Sequence, residues 1–260
     1  MRYFDDKQIY RTLEKQGIKR KKVRAAIDSL DFQCPVIKPR TCVVGIDTTY
    51  TAKDFGATIF RDITNNTSLH WAFVEKENIS THIHGVNAIK KAKIEILGFV
   101  VDGFFSFFVH YSSQYPIQMC QKHMKDIVKR YITNRPILPA AIELKEIMKD
   151  LTKMSSKEFD YRFGHWKERW KEFLKERTYY ENGKWEYTHR RLRSAVASLI
   201  RYRPYLFTFE KYRWLPRTNN KMEGFNSGLK SYLSIHRGLR GDRLAKLMHR
   251  YLVKDSKYLE

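Results

Sequence analysis

Three carboxylates stand out by their settings. Asp47 closes the apolar, β-branched run TCVVGI at 41–46, and Asp102 closes a second run, LGFVV at 97–101. Runs of this kind predict buried strands, so both acids are expected at strand ends. Strand ends that lie side by side in an α/β sheet present their side chains to one crevice. Two carboxylates there repel unless a divalent cation neutralises them. Oxygen ligands of this kind suit Mg²⁺, which accepts one or two carboxylates together with substrate phosphates. Two such ions about 4 Å apart can activate the attacking oxygen of a phosphodiester and stabilise the leaving one. Taken singly, each Asp has a blander reading, as the end of a strand or the cap of the next helix.

Glu223 lies in TNNKMEGFNSGLK and also reads two ways. Asn220-x-x-Glu223 has the form of a capping box. Helical spacing puts Met222, Phe225, Leu229 and Leu233 on one face and leaves Glu223, Asn226 and Lys230 on another. A carboxylate there, near a helix start and facing an acidic pair, would complete a metal site. Cys120-x-x-His123 follows a predicted strand. Two ligands at this spacing cannot build a tetrahedral zinc site without two more, and none is paired nearby, so a buried thiol beside a helix-face imidazole is the simpler reading. Trp166, Trp170, Trp185 and Trp214 are interleaved with Lys and Arg, and core packing accounts for most of them. Trp185, in ENGKWEY beside Lys184, His189, Arg190 and Arg191, fits core packing least and could stack on an unpaired base.

The elements that must position these residues follow from periodicity. Strands are expected at 41–47, 55–63, 68–74, 97–102 and 115–119, the first three as an antiparallel meander. Helices are expected at 80–95, 103–111 and 120–131. This order gives an α/β arrangement. Residues 139–216 hold no credible strand. Helical stripes there run through Leu144, Ile147, Met148 and Leu151, then Phe159 to Leu174, then Leu192 to Leu199. They predict an all-α insertion, followed by two last helices near 219–234 and 240–253. Residues 5–30 read as two short basic helices, with a helix-turn-helix fragment as the less favoured alternative. Cys34–Pro35 to Pro39–Arg40 reads as a linker.

The charge is uneven. The 260 residues carry 50 Lys and Arg against 28 Asp and Glu, a net +22. Residues 1–40 contribute +6, 41–119 contribute −1, 120–160 contribute +3 and 161–260 contribute +14. Such an excess points to a polyanion, most simply nucleic acid. A near-neutral block between basic flanks is what an acidic site needs if cations are not to crowd it. With 42% hydrophobic residues and 14% aromatics, the chain is no disordered basic tail. Three cysteines without a CxxC pair exclude a disulfide scaffold and a zinc ribbon. No apolar run reaches the roughly 18 residues of a spanning helix, and no signal peptide opens the chain. A soluble protein of the cytoplasm, associated with the nucleoid and not with a membrane, is expected.

Asp47, Asp102 55 residues later and Glu223 a further 121 residues on resemble the acidic triad of the DDE transposases of bacterial insertion sequences. Cys120-x-x-His123 resembles the C/D-x2-H signature of their mutator-like branch. The stretches GIDTTY, VVDG, PIQMCQKH, THRRLRSA and TNNKMEGFNSGLK are similar to that branch in the same order, over roughly residues 41–251. The resemblance implies an RNase H-like core, a mixed five-stranded sheet with helices, split into 41–138 and 217–260 by the insertion 139–216, with 1–40 as a basic N-terminal segment. It implies that Asp47, Asp102 and Glu223 hold Mg²⁺, or Mn²⁺ as a substitute, and that Cys120 and His123 support the site's structure. Arg190, Arg191, Arg193, Arg201 and Arg203, with Trp185, Lys230 and Arg237, are the expected DNA contacts. The implied reaction cleaves phosphodiesters at inverted-repeat ends and joins the freed 3′-hydroxyl to target DNA, on a homodimer or larger assembly. Residues 1–40 are short beside the end-recognition region such transposases carry, and they lack paired cysteines. Two rival functions therefore stay open: a non-catalytic remnant that binds the ends, and a nuclease that hydrolyses without joining. The presence of all three acids disfavours the remnant.

Overall fold

The computed structural model describes residues 14–32, 37–236 and 238–256. Five strands, β1 (Thr41–Ala52), β2 (Phe55–Asp62), β3 (Thr67–Val74), β4 (Glu95–Val101) and β5 (Ile117–Met119), form one sheet in the order β3-β2-β1-β4-β5. β1, β2 and β3 pair antiparallel, and β4 pairs with β5 in parallel. The α/β arrangement with a mixed five-stranded sheet and an antiparallel meander is as expected. By its contacts the chain divides into two units, one made of residues up to Leu97 together with those from Asn220 onward, the other of Gly98–Asn219. No described helix is long and apolar enough to cross a membrane.

The first unit holds the meander, α1 (Arg20–Asp28), α2 (Ile79–Lys91), α9 (Asn220–Ser234) and α10 (Asp242–Ser256). Register assigns its two faces, because successive residues of a strand point to opposite sides. Ile46, Phe60 and His70 lie opposite one another on one face, and Asp47, Ile59 and Trp71 on the other. α2 covers the first face so closely that a Cβ on Gly85 would fall 2.3 Å from Cζ of Phe60, a fully buried ring. Gly85→Val should therefore destabilise the protein by about 1–3 kcal/mol through overpacking, read as a lowered denaturation midpoint. The second face meets α1, α9 and α10 in a core that includes Val23, Ile27, Ile59, Met222, Leu229, Leu247 and Leu252.

Within the N-terminal basic segment, α1 is built into this unit. Val23 and Ile27 of α1 are fully buried, Arg243 of α10 grips Asp28 through two bonds of 2.6 and 2.7 Å, and Lys246 Nζ donates to the Asp28 carbonyl. The cations Lys19, Arg20, Lys21, Lys22 and Arg24 stay exposed. The expected earlier helix of this segment lies mostly, and the Cys34–Pro35 linker start wholly, outside the described residues.

Two buried ion pairs anchor the meander. Asp62 accepts from Thr64 N, Asn65 N and Asn65 Nδ2, each at 2.9 Å, and pairs with Arg40 at 2.9 Å. That fixes the Thr64–Thr67 turn, where Asn66 takes a φ of 59°. Arg61, 3% exposed, pairs with Asp255 at 2.9 Å and lies 3.8 Å over the Phe225 ring. Burial pulls its guanidinium below its ordinary pKa, and Asp255 opposes that shift.

The second unit contains the end of β4, then α3 (Phe105–Tyr111), β5, α4 (Gln121–Ile132), α5 (Pro139–Asp150), α6 (Ser156–Arg169), α7 (Arg190–Tyr202) and the short α8 (Thr208–Lys211). Phe99, Phe107, Phe108 and Phe159 are fully buried in it. Trp166 is a core residue and Trp170 a half-buried one, and they donate to Ala140 O and Glu143 Oε2, both at 2.9 Å.

Three expectations need correction. Asp47 does not end its strand: β1 continues through Thr48–Ala52, because these mostly β-branched and aromatic residues pair with Thr58–Phe55 of β2. The helix expected over 80–95 stops at Lys91, Lys93 turns the chain at a φ of 59°, and β4 begins at Glu95. Residues 139–216 are not all-α: Arg177–Tyr179 (β6) and Trp185–Tyr187 (β7) form an antiparallel hairpin.

Candidate functional site

Within the first unit, Asp47 stands on the sheet face against which α9 packs, since its register partner Ile59 belongs to the core shared with Met222 and Leu229. Asn226 of α9 reaches across and donates from Nδ2 to Asp47 Oδ2 at 2.5 Å. Glu223 lies three residues before Asn226, which places it on the same side of the helix one turn earlier. The fold thus brings the carboxylate of β1 onto the glutamate-bearing helix, over a separation of 179 residues between Asp47 and Asn226. α9 is anchored at its start by Lys221 Nζ, which donates to Ile63 O at 2.9 Å. It begins at Asn220, so Glu223 is the fourth residue of the helix, one later than a capping box would have it. Asn226 itself departs from expectation. Helical spacing put it on the polar face with Glu223 and Lys230, yet it is 6% exposed, whereas Lys230 is exposed.

Within the second unit, Asp102 directly follows β4, as predicted. Its Oδ1 accepts from Gly103 N at 2.6 Å and Phe104 N at 3.4 Å, at the approach to α3. Parallel pairing sets Val101 opposite Met119, so Asp102 and Cys120 leave neighbouring strands at the same end. Cys120 is fully buried at the start of α4. It donates its backbone N–H to Val101 O at 2.8 Å and accepts the Asn219 N–H on Sγ at 3.3 Å. The next amide, Gln121 N, donates to Arg217 O at 3.0 Å. The head of α4 therefore grips residues 217–219, the segment that runs into α9. His123 sits one turn further along. Cys42, the other described cysteine, is buried in β1, and desolvation with the nearby Asp62 pushes its thiol up to about 12, which disfavours the reactive thiolate.

The expected DNA contacts divide by environment. α7 buries Leu192, Ala195, Val196, Leu199 and Tyr202 and exposes Arg190, Arg191 and Arg201. Arg190 pairs with Glu186 at 2.5 Å, and Arg191 donates to Arg130 O at 2.7 Å. Arg193 is partly buried, donating to Leu174 O at 2.7 Å and stacking 3.5 Å over the Tyr187 ring. Arg203 grips both carboxylate oxygens of Asp160 and Ser156 Oγ, each at 2.5 Å, and is a clamp between α6 and the turn after α7. Trp185 is 44% exposed on β7 under the guanidinium of Arg177, 3.9 Å from its ring centroid. Arg237 lies outside the described residues.

Sequence reasoning missed three features: the burial of Asn226, the link from Asn219 to Cys120, and the hairpin. Asn182–Gly183, flanked by β-branched and aromatic residues, was the legible sign of the hairpin. Gly183 supplies the φ of 75° that the turn needs. With this geometry in place, comparison with known proteins adds no assignment: no protein-family model matches the chain, and no curated protein does.

Proposed function

We propose that this protein is a DNA transposase of the DDE type, in which Asp47, Asp102 and Glu223 hold the catalytic divalent cations. The observation that carries the reading is the packing of Asp47 on the helix of Glu223, an association that the ordered motifs required and that adjacency in sequence could not produce. Asp102, at the end of the parallel strand β4, supports it as the second strand-derived acid.

The residues suit a hard cation. All three candidate ligands are carboxylates, and the buried amide oxygen of Asn226 has no hydrogen-bond partner among the described residues. Bound Mg²⁺ would supply Lewis-acid polarisation of the phosphoryl oxygens and offset the charge of the acids that hold it. The chain's own residues do the rest. Asn226 holds the Asp47 carboxylate in one orientation. The bonds that join Cys120 and Gln121 to residues 217–219 are consistent with a structural role for Cys120. Arg190, Arg191 and Arg201 offer their exposed charges to phosphates, which positions DNA without reading its sequence. Such a protein works in the cytoplasm at the nucleoid, with DNA ends and target DNA as substrates, as a dimer or larger assembly.

The test is a cleavage and joining assay. Purified protein with Mg²⁺ or Mn²⁺ is given DNA that carries the inverted repeats flanking its coding region, with an EDTA control. Metal-dependent nicks at the repeat ends and covalent joining to a second duplex are expected. Nicks without joined product would leave a nuclease, and binding without nicks a remnant.

DNA grip has its own signature. Arg190→Ala with Arg191→Ala should weaken binding to all sequences and lower the log–log salt slope by about 2, roughly 0.9 for each lost phosphate contact. An unchanged slope would mean that α7 does not face the DNA. Arg193→Ala and Arg203→Ala should instead act mainly on stability, because both side chains are tied into the fold.

A further inference from the structure

Asn226 occupies a position where the fold alone would favour an apolar side chain. The residues of α9 that are buried are Met222, Asn226, Leu229, Tyr232 and Leu233, so Asn226 continues the stripe that packs on the sheet. Burying an amide is unfavourable unless its hydrogen bonds are made. Here only half of the group is served: Nδ2 donates to Asp47 Oδ2 at 2.5 Å, and Oδ1 is buried with no partner among the described residues. A leucine would fill the same stripe without that penalty.

The chemistry of the amide explains why an apolar residue would not do. A neutral donor fixes the orientation of a carboxylate and leaves its negative charge intact. A lysine or arginine in the same place would pair with Asp47 and compete with any incoming cation. The second amide atom is a neutral, hard oxygen acceptor, a type that divalent cations and their hydration waters accept alongside carboxylates. Partners that orient a ligating carboxylate tune a metal's affinity.

We infer that Asn226 is a positioning residue of the cation site: its Nδ2 sets the orientation of Asp47, and its Oδ1 completes the oxygen surface offered to a divalent cation. This rests on the cation-holding role proposed above for Asp47.

The test measures Mn²⁺ binding, by the loss of the free-ion electron paramagnetic resonance signal, together with melting in EDTA. It uses the full chain and needs no DNA. Wild type should bind Mn²⁺, and Asp47→Asn should not. Asn226→Leu should melt in EDTA no lower than wild type and bind Mn²⁺ 10- to 100-fold more weakly, the loss typical of removing such a partner. Asn226→Asp serves if the leucine variant does not fold. It keeps the shape, loses the donor and sets a carboxylate against Asp47, so it should melt lower than wild type in EDTA and gain more than wild type from Mn²⁺. Wild-type Mn²⁺ affinity in Asn226→Leu, or an Asn226→Asp penalty that Mn²⁺ leaves unchanged, would overturn the inference and leave the cation site standing. Mn²⁺ binding that is absent from wild type or indifferent to Asp47→Asn would remove the cation reading, and this inference with it.

Discussion

Asp47→Asn, Asp102→Asn and Glu223→Gln should each reduce metal-dependent cleavage by at least about 10²–10³-fold, the scale seen when one preorganised electrostatic contact to a reacting group is lost. Each exchange keeps the shape of the side chain and removes its negative charge. The amide oxygen of an asparagine at 47 can still accept from Asn226 Nδ2, and one at 102 can still accept from Gly103 N, so the fold around both should persist. Duplex affinity, measured by filter binding at fixed salt, should remain within about twofold of wild type, since phosphate grip comes from cations elsewhere on the protein. A variant that cleaves at the wild-type rate would remove its residue from the site. A variant that loses cleavage and binding together, with an unchanged melting curve, would mean that the acid acts on DNA placement and not on the chemistry.

The largest effect on stability is expected at the other end of the first unit. Asp255→Ala would strip the 3%-exposed Arg61 guanidinium of its ion pair and leave Ser68 N and Oγ without the acceptor they share at 2.8 and 2.7 Å. Removing one member of a buried pair costs about 3–5 kcal/mol, because the other charge stays buried and uncompensated. The denaturant midpoint of the unit that contains β2 should fall accordingly. The double variant Arg61→Met/Asp255→Leu should recover much of the loss, since a buried pair replaced by apolar residues of similar volume is often neutral. If Asp255→Ala leaves the midpoint unmoved, Arg61 must be reached by water.

The sequence displayed most of the elements but not their edges. An apolar run ending in Asp looked like a finished strand, because Thr48, Thr49 and Tyr50 signal half-exposed pairing only when their partners in β2 are known. The hairpin Arg177–Tyr187 was hidden by its polarity: its β6 residues are all exposed, so no alternation of buried side chains marked it. The strand-ending Asp102, the order of the motifs and the helix bearing Glu223 were legible, because each rests on local spacing. Asn226 was not. Periodicity sorts residues by polarity, and a polar residue on a core stripe is assigned to the wrong face until the partner that drew it inward is seen.

The discontinuity of the first unit bears on how the chain is made. Its meander is complete by Val74, yet α9, the first of the two C-terminal helices that cover the Ile59 and Trp71 face, begins only at Asn220. Roughly 150 residues must be translated in between, which at 5–20 residues per second takes about 7–30 s. During that interval the part of this face that α9 and α10 will cover has only α1, already made, to shield it. The first strands made are therefore among the last to have their Ile59 and Trp71 face fully covered.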